Sequence, residues 1–249
     1  MHDGPTRHRA AELRAAGHSL AQVAAISGVS QSSVIRWAKD PDALARRRAA
    51  CPRCGTASLP TRGYSALLGY YLGDGYLARG PRYDALRITC DAAYPGIVTD
   101  VSACIGAVRP GGRIALPRRQ GCVVVQSQWQ HWACLFPQHG PGRKHERAIV
   151  LESWQEAVVE DDPASFLRGL FHSDGSRVDN WARQTVSGQP KVYRYPRWQF
   201  TNASSDILGL CCWALDLVEV PWRQSNVRVI SVSRRDAVAR LDALIGLKA

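Results

Sequence analysis

One nine-residue pattern occurs twice in this chain. Residues 67–75 read LLGYYLGDG and residues 167–175 read LRGLFHSDG. The copies agree at Gly69 and Gly169, at Asp74 and Asp174, and at Gly75 and Gly175. In a helix Gly69 and Gly73 lie four apart on one face, as do Gly169 and Ser173. Small residues there let two helix backbones approach closely. Tyr70, Tyr71 and Leu72, and Leu170 and Phe171 in the second copy, supply apolar flanks. Gly75 and Gly175 fit the left-handed residue that commonly ends a helix. Each Asp then sits in a last turn, where the helix dipole disfavours a carboxylate. Packing the helices side by side brings the two acids together, and a divalent cation between them relieves the repulsion. Either copy alone also fits an ordinary core helix capped by Asp-Gly. Two copies in register favour the paired arrangement, which suits cutting both strands of a duplex.

The charge balance points the same way. Lys and Arg number 32 against 21 Asp and Glu, a net charge of +11. Such an excess favours a polyanionic partner, DNA or RNA, over an inert basic surface. The opening MHDGPTRHRAAELR is polar and charged, unlike a signal peptide. No apolar run approaches the length of a membrane span. The eight cysteines are scattered and do not form a secreted disulfide framework. The expectation is a cytoplasmic, nucleoid-associated monomer with reduced thiols and no membrane partner.

Residues 1–40 read as a separate helical unit. RHRAAELRAAG is a helical run ending at Gly17. Ser19 can cap a helix from Leu20 to about Ser27. Gly28, Val29 and Ser30 make a tight turn, and Ser30 or Gln31 starts a helix that stops before Pro41. Ala24, Gly28 and Val34 have the spacing of a helix-turn-helix, and the stretch resembles that of resolvases and many bacterial regulators. Ser27 departs from it, since an apolar residue is more usual there. The resemblance implies that Gln31, Ser32, Ser33 and Arg36 face a DNA major groove. The alternative is a helical hairpin used only for packing. Residues 41–62 read as a linker with a basic patch, ALARRRAA, and the segment CPRCG. Cys51 and Cys54 make half a zinc site. There is no second CxxC, so histidines or distant cysteines would complete a Zn²⁺ site; the alternative is a simple turn.

From Gly63 onward the order of elements repeats. Each acidic motif precedes a polar stretch and a strand, 86–91 in the first half and 198–203 in the second. Apolar helical runs follow at 97–108 and 206–220. Two short strands come next, near GRIALP and CVVVQSQ, then near PWRQS and VRVISVS. A last helix falls around WQHWACLF in the first half and RRDAVARLDALIG in the second.

With these elements in place, residues 63–249 resemble the LAGLIDADG homing endonucleases in their single-chain, two-repeat form. The resemblance implies an α+β fold of two tandem αββαββα repeats, 63–152 and 153–249. It implies pseudo-twofold symmetry and saddle-shaped antiparallel sheets, beside the small all-α helix-turn-helix domain. It implies that Asp74 and Asp174 bind catalytic metal, two or three Mg²⁺ ions, and that Lys144, in HGPGRKHERAIVLESWQ, is the basic residue beside the phosphate. The earlier motif acid is not essential in the family; its positions here are Leu72 and His172. The second half has no equally clear basic residue, with Arg223, Arg228 and Lys191 as candidates. RQTVSGQPKVYRYPRWQ offers Lys191, Arg194 and Arg197 for base and phosphate contacts. Arg79, Arg82, Arg87, Arg113 and Arg118 offer the same in the first half. The function implied is site-specific cleavage of double-stranded DNA by metal-dependent phosphodiester hydrolysis. The competing reading is a non-cutting transcriptional regulator, because some bacterial sporulation regulators join a similar scaffold to a helix-turn-helix. An RNA maturase is a minor third. Splicing blocks are absent, so the chain does not read as an intein.

Overall fold

The computed structural model describes residues 4–40, 42, 45–46, 49–186 and 188–248. Two compact units divide between Ser58 and Leu59.

The first unit contains α1 (Gly4–Ala15), α2 (Leu20–Ser27) and α3 (Gln31–Lys39). Ser19 caps α2: its hydroxyl accepts the Gln22 N–H, and the Gln22 side chain accepts the Ser19 N–H. Gly28 ends α2 at φ 63°, a left-handed conformation that favours glycine. Ser30 caps α3. Ala10, Val23, Val29 and Val34 form a small core, with Leu13, Leu20, Ala24 and Trp37 packed around it. The Ser27 hydroxyl is buried without a hydrogen-bond partner, the cost of a polar residue at a position that favours an apolar one. Arg47 and Arg48 of the basic patch lie outside the described residues. The chain then folds back on itself, with the Thr56 and Ala57 amides both donating to the Ala49 carbonyl.

The second unit opens with α4 (Thr61–Asp74), β1 (Gly75–Arg79), β2 (Asp84–Asp91) and α5 (Pro95–Val108). β3 (Ile114–Ala115), β4 (Arg118–Arg119), β5 (Cys122–Trp129) and α6 (Trp132–Leu135) follow. A long connection with one 3₁₀ turn at Lys144–Glu146 leads to α7 (Ser153–Asp161) and α8 (Pro163–Asp174). β6 (Gly175–Val186), β7 (Gln189–Thr201), α9 (Ser205–Leu217), β8 (Arg223–Asn226), β9 (Val229–Val232) and α10 (Arg235–Ile245) complete it. Two antiparallel sheets result. One runs β1-β2-β5-β3, with β4 also on β5, and the other runs β6-β7-β9-β8.

Three local expectations are corrected. The strand expected near GRIALP is broken into β3 and β4, because Pro117 lacks an N–H and sits between them. The helix expected around WQHWACLF shrinks to Trp132–Leu135, and an unexpected α7 follows. The strand expected at 198–203 begins at Gln189 and pairs with β6 along its whole length. Its first half is exposed on both faces, so it lacks the apolar alternation that marks a half-buried strand.

α4 and α8 cross with their backbones in contact. A Cβ on Gly69 would lie 2.3 Å from the Phe166 carbonyl oxygen and 2.9 Å from the Leu170 nitrogen. A Cβ on Gly169 would lie 2.3 Å from the Ala66 carbonyl oxygen and 2.7 Å from the Tyr70 nitrogen. Each helix therefore occupies the space a side chain on the other would need. Gly75 and Gly175 are not the left-handed residues the motif suggests. Both are extended, at φ −88° and −90°, and begin a strand at once. Glycine is required there because a Cβ would lie 2.4 Å from Tyr71 Cα or 2.5 Å from the Phe171 carbonyl oxygen.

Candidate active site

α4 and α8 each end on their acid, so the contact at Gly69 and Gly169 carries Asp74 and Asp174 to the same end of the helix pair. Gly73 and Ser173 face each other one turn further on. A Cβ on Gly73 would lie 2.0 Å from the Ser173 hydroxyl and 3.4 Å from a carboxylate oxygen of Asp174. Both carboxyls are held above their ordinary range. Burial is the main cause at each, and at Asp174, pushed up to about 6, the charge of Asp74 adds to it. Asn202 at the end of β7 donates to Asp174 at 2.7 Å.

Two lysines oppose this charge. Lys144 lies in the 3₁₀ turn of the connection between the halves. Arg147 fixes that connection by donating to the Gln138 and Gly142 carbonyls. The Lys144 ammonium caps α4, donating to the carbonyls of Tyr71, Leu72 and Gly73 at 2.5, 2.9 and 2.6 Å. It therefore neutralises the negative helix end on which Asp74 sits. Burial pulls its amine down to about 8, against the opposing pull of Asp174 and Asp74.

The second lysine carries no local sequence motif. Lys248 follows α10, and its ammonium donates to the Ser173 carbonyl at 3.3 Å. Ser173 precedes Asp174 as Gly73 precedes Asp74, so the two lysines make matching contacts on the two helix ends. Burial lowers the Lys248 amine, and Asp74 and Asp174 raise it. Lys248 lines a cavity of about 110 Å³ together with Asp74, Asp91, His172 and Ser173. Of the basic residues that the sequence offers for this role, Arg223 and Arg228 are exposed at β8 and the turn after it, and Lys191 lies in the outer part of β7. A compositional signal does exist. The chain has only four lysines, Lys39, Lys144, Lys191 and Lys248, among its many arginines.

The remaining polar candidates separate by strand register. Trp198 and Phe200 face the core, so Arg194 shares their side of β7, while Lys191, Arg197 and Gln199 share the outer side. Cross-strand partners extend the outer side to Ser176, Asn180 and Gln184. In the first sheet Arg87 and Gln126 are paired on the outer side at 2.9 Å. Arg79, Arg82, Arg113 and Arg118 are exposed. In the first unit Gln31, Ser32 and Arg36 are exposed on α3. Ser33 is not: it is buried, and its hydroxyl pairs with Ser30 at 3.0 Å, so it belongs to the cap rather than to the outward surface.

Cys51 is fully buried, and its sulfur accepts the N–H groups of Arg53 and Cys54 at 3.4 Å each. Within the second unit His131 and Cys134 have the same two-residue spacing, with Nδ1 and Sγ 3.8 Å apart.

The Asp174 shift sets a pH dependence. Its folded carboxyl holds a proton more tightly than the unfolded one, so the metal-free protein loses stability as pH rises through about 6. If Asp174 ligates a cation, a proton competes with it for the same oxygens. Apparent Mg²⁺ affinity is therefore expected to fall about tenfold per pH unit below that point. Calorimetric titration with Mg²⁺ from pH 5 to 8 checks this, and a flat profile would count against Asp174 as a ligand.

No protein-family model matches the chain, and no curated protein matches it. Among solved structures it is similar to the homing endonuclease I-DmoI in complex with DNA and Mn. The identity is 14% and the TM-score 0.49, covering 76% of this chain and 100% of that chain. It is similar to the LAGLIDADG meganuclease I-AabMI bound to uncleaved DNA at 13% identity and TM-score 0.46, covering 73% of this chain and 82% of that chain. It is also similar to full-length DUF199/WhiA from Thermatoga maritima, at 13% identity and TM-score 0.46, covering 81% of this chain and 60% of that chain. Among the described residues, no helix is long and apolar enough to cross a membrane.

Proposed function

We propose that the second unit is a metal-dependent, site-specific double-strand DNA endonuclease of the LAGLIDADG type, acting as a monomer of two pseudo-twofold halves. The observation that carries this is the meeting of Asp74 and Asp174 at one end of a helix pair, each with a lysine beside it. The donor set fits hard divalent cations. Two neighbouring carboxylates repel one another, and Mg²⁺ takes oxygen ligands. Bound Mg²⁺ would lower the pKa of a coordinated water and neutralise charge on a phosphate. Asp74 and Asp174 would hold the metal, and Asn202 orients Asp174. Lys144 and Lys248 place positive charge where the phosphate charge grows, one for each strand. The outer faces of the sheets, with Arg87, Gln126, Lys191, Arg197 and Gln199, lie along the major groove. Arg194, Arg223 and Arg228 contact phosphates at the margin. Selection of a target from a randomised duplex library, followed by Mg²⁺-dependent cleavage of that target, tests the reading.

The second reading, a DNA-binding regulator that does not cut, draws on the N-terminal unit. Its two capped helices, turned by Gly28 and packed through Val23 and Val34, support a helix-turn-helix. Gln31, Ser32 and Arg36 then face the major groove. Arg36→Ala should weaken DNA binding and lower the slope of log K against log salt by about 0.9, one phosphate contact. An unchanged slope removes Arg36 from the interface. Tight binding of a defined site with no cleavage in Mg²⁺ or Mn²⁺ decides for the regulator.

Cys51 and Cys54 supply two of the four ligands of a structural Zn²⁺ ion. Protein made in zinc-supplemented medium should carry one zinc per chain, and Cys51→Ser should lose it. Wild-type protein without zinc refutes the assignment.

A further inference from the structure

His172 occupies the motif position that the catalytic reading leaves without a task. It is buried in the last turn of α8, two residues before Asp174. Its Nε2 lies 3.2 Å from the carbonyl oxygen of Gly246. A carbonyl can only accept, so Nε2 carries the proton and donates. Nδ1 faces the Tyr70 hydroxyl at 3.3 Å, and that hydroxyl donates its own proton to Asp100 at 2.7 Å. Asp100 in turn is paired with Arg168. The imidazole is thus held between α4, α5 and the residues that follow α10.

Those residues are the ones that deliver Lys248. α10 is fastened to the second sheet by Asp242, which accepts from Arg177 at 2.8 Å and from Trp198 at 2.7 Å. Gly246, at φ 72°, then turns the chain. The span from Gly246 to Lys248 crosses the end of α8, held by His172 on the Gly246 carbonyl and by Lys248 on the Ser173 carbonyl, with the ammonium also 5.8 Å from the centre of the Tyr94 ring. Packing does not do this alone. A cavity of about 380 Å³ lies under the span, between Ala243–Leu247 on one side and Asp100, Arg168 and His172 on the other. Leu247, the residue between the two contacts, is exposed. Without the imidazole, the hydrogen bond to the Gly246 carbonyl is lost beside a cavity, and the ammonium is held less firmly next to the acids.

We propose that His172 is the positioning residue for Lys248: its Nε2–H holds the Gly246 carbonyl and so fixes the span that carries the ammonium to Asp74 and Asp174. The catalytic consequence rests on the nuclease reading above; the positioning does not. His172→Gln keeps a donor at the reach of Nε2, whereas His172→Asn places its amide only at the reach of Nδ1. These two variants of similar polarity therefore separate the contact from general packing, and His172→Leu removes both contacts.

The first measurement does not need activity. Full-length protein is treated with acetic anhydride, and acetylation of Lys39, Lys144 and Lys248 is followed by mass spectrometry. Lys248 should be slow in wild type and in His172→Gln. It should approach the rate of Lys39 in His172→Asn and His172→Leu, with Lys144 unchanged in all. The second measurement is single-turnover cleavage of a selected duplex with each strand labelled. His172→Asn should slow one strand by about 10²-fold, the size expected for a misplaced group, and Lys248→Ala should slow the same strand. DNA affinity should hold, so nicked duplex accumulates. Equal Lys248 labelling in the Asn and Gln variants overturns the positioning role. So does equal cleavage of both strands by His172→Asn where Lys248→Ala nicks. A wild-type protein that cuts nothing overturns the nuclease reading instead, while the labelling still decides the positioning.

Discussion

Asp74→Asn, or Asp174→Asn, is expected to reduce double-strand cleavage to background while DNA binding survives or tightens. Asparagine keeps the shape of the side chain but removes the charge and a strong oxygen ligand. In the proposed mechanism both acids hold one metal site, so a single substitution should stop both strands rather than leave a clean nick. Binding should hold because the acids repel phosphate in the absence of metal. The same variants carry a second expectation that does not depend on activity. Burial raises both carboxyls in the metal-free protein, and the charge of Asp74 raises Asp174 further, so removing one charge should raise its melting temperature. Mg²⁺ should then raise the melting temperature of wild type and leave that of the variants nearly unmoved, since a ligand stabilises only the state that binds it. A wild-type melting temperature indifferent to millimolar Mg²⁺ would be strong evidence against the metal site. The Asn variants cutting at wild-type rate would end the nuclease mechanism.

Gly169→Leu is expected to cause a large loss of stability in the second unit. The contact is backbone against backbone: a Cβ there lies 2.3 Å from the Ala66 carbonyl oxygen and 2.7 Å from the Tyr70 nitrogen. No rotamer change relieves it, so α4 and α8 must separate. Overpacking of a core typically costs about 1–3 kcal/mol, and a contact made by the main chain should exceed that range. For a unit of this size the melting temperature should fall by about 6–12 °C or more. Gly69→Leu should behave alike for the reciprocal reason. Gly106→Ala on α5 is the control. Nothing lies within 4 Å of a Cβ there, so removing a helical glycine should be neutral or stabilising by about 0.5–1 kcal/mol. Comparable losses at Gly106 and Gly169 would show that the helix contact is not what the glycines serve. Because the acids ride on these two helices, a partly folded Gly169→Ala protein should also lose Mg²⁺ affinity.

The sequence by itself determined the elements whose signals are local. Ser19 and Gly28 bracket α2, and Ser30 starts α3, because capping and left-handed turns depend on a few adjacent residues. The repeated Gly and Asp fixed which helices pair and which acids they carry, since helical spacing alone puts Gly69 and Gly73 on one face. Lys144 was singled out only through the resemblance of the segment around it. Tertiary structure decided the rest. The length of β6 and β7 was hidden because a ribbon wet on both faces has no apolar alternation. The helix-turn-helix resemblance turns Ser33 outward, but the helix cap draws its hydroxyl in to Ser30. Gly75 and Gly175 are needed for the space beside Tyr71 and Phe171 rather than for their φ, a distinction that composition does not carry. Lys248 and His172 come together with Asp74 and Asp174 only because α10 is fastened to the sheet through Asp242 and its following residues cross the end of α8. Residues far apart in the chain meet through the packing of the elements between them, and no local pattern records that.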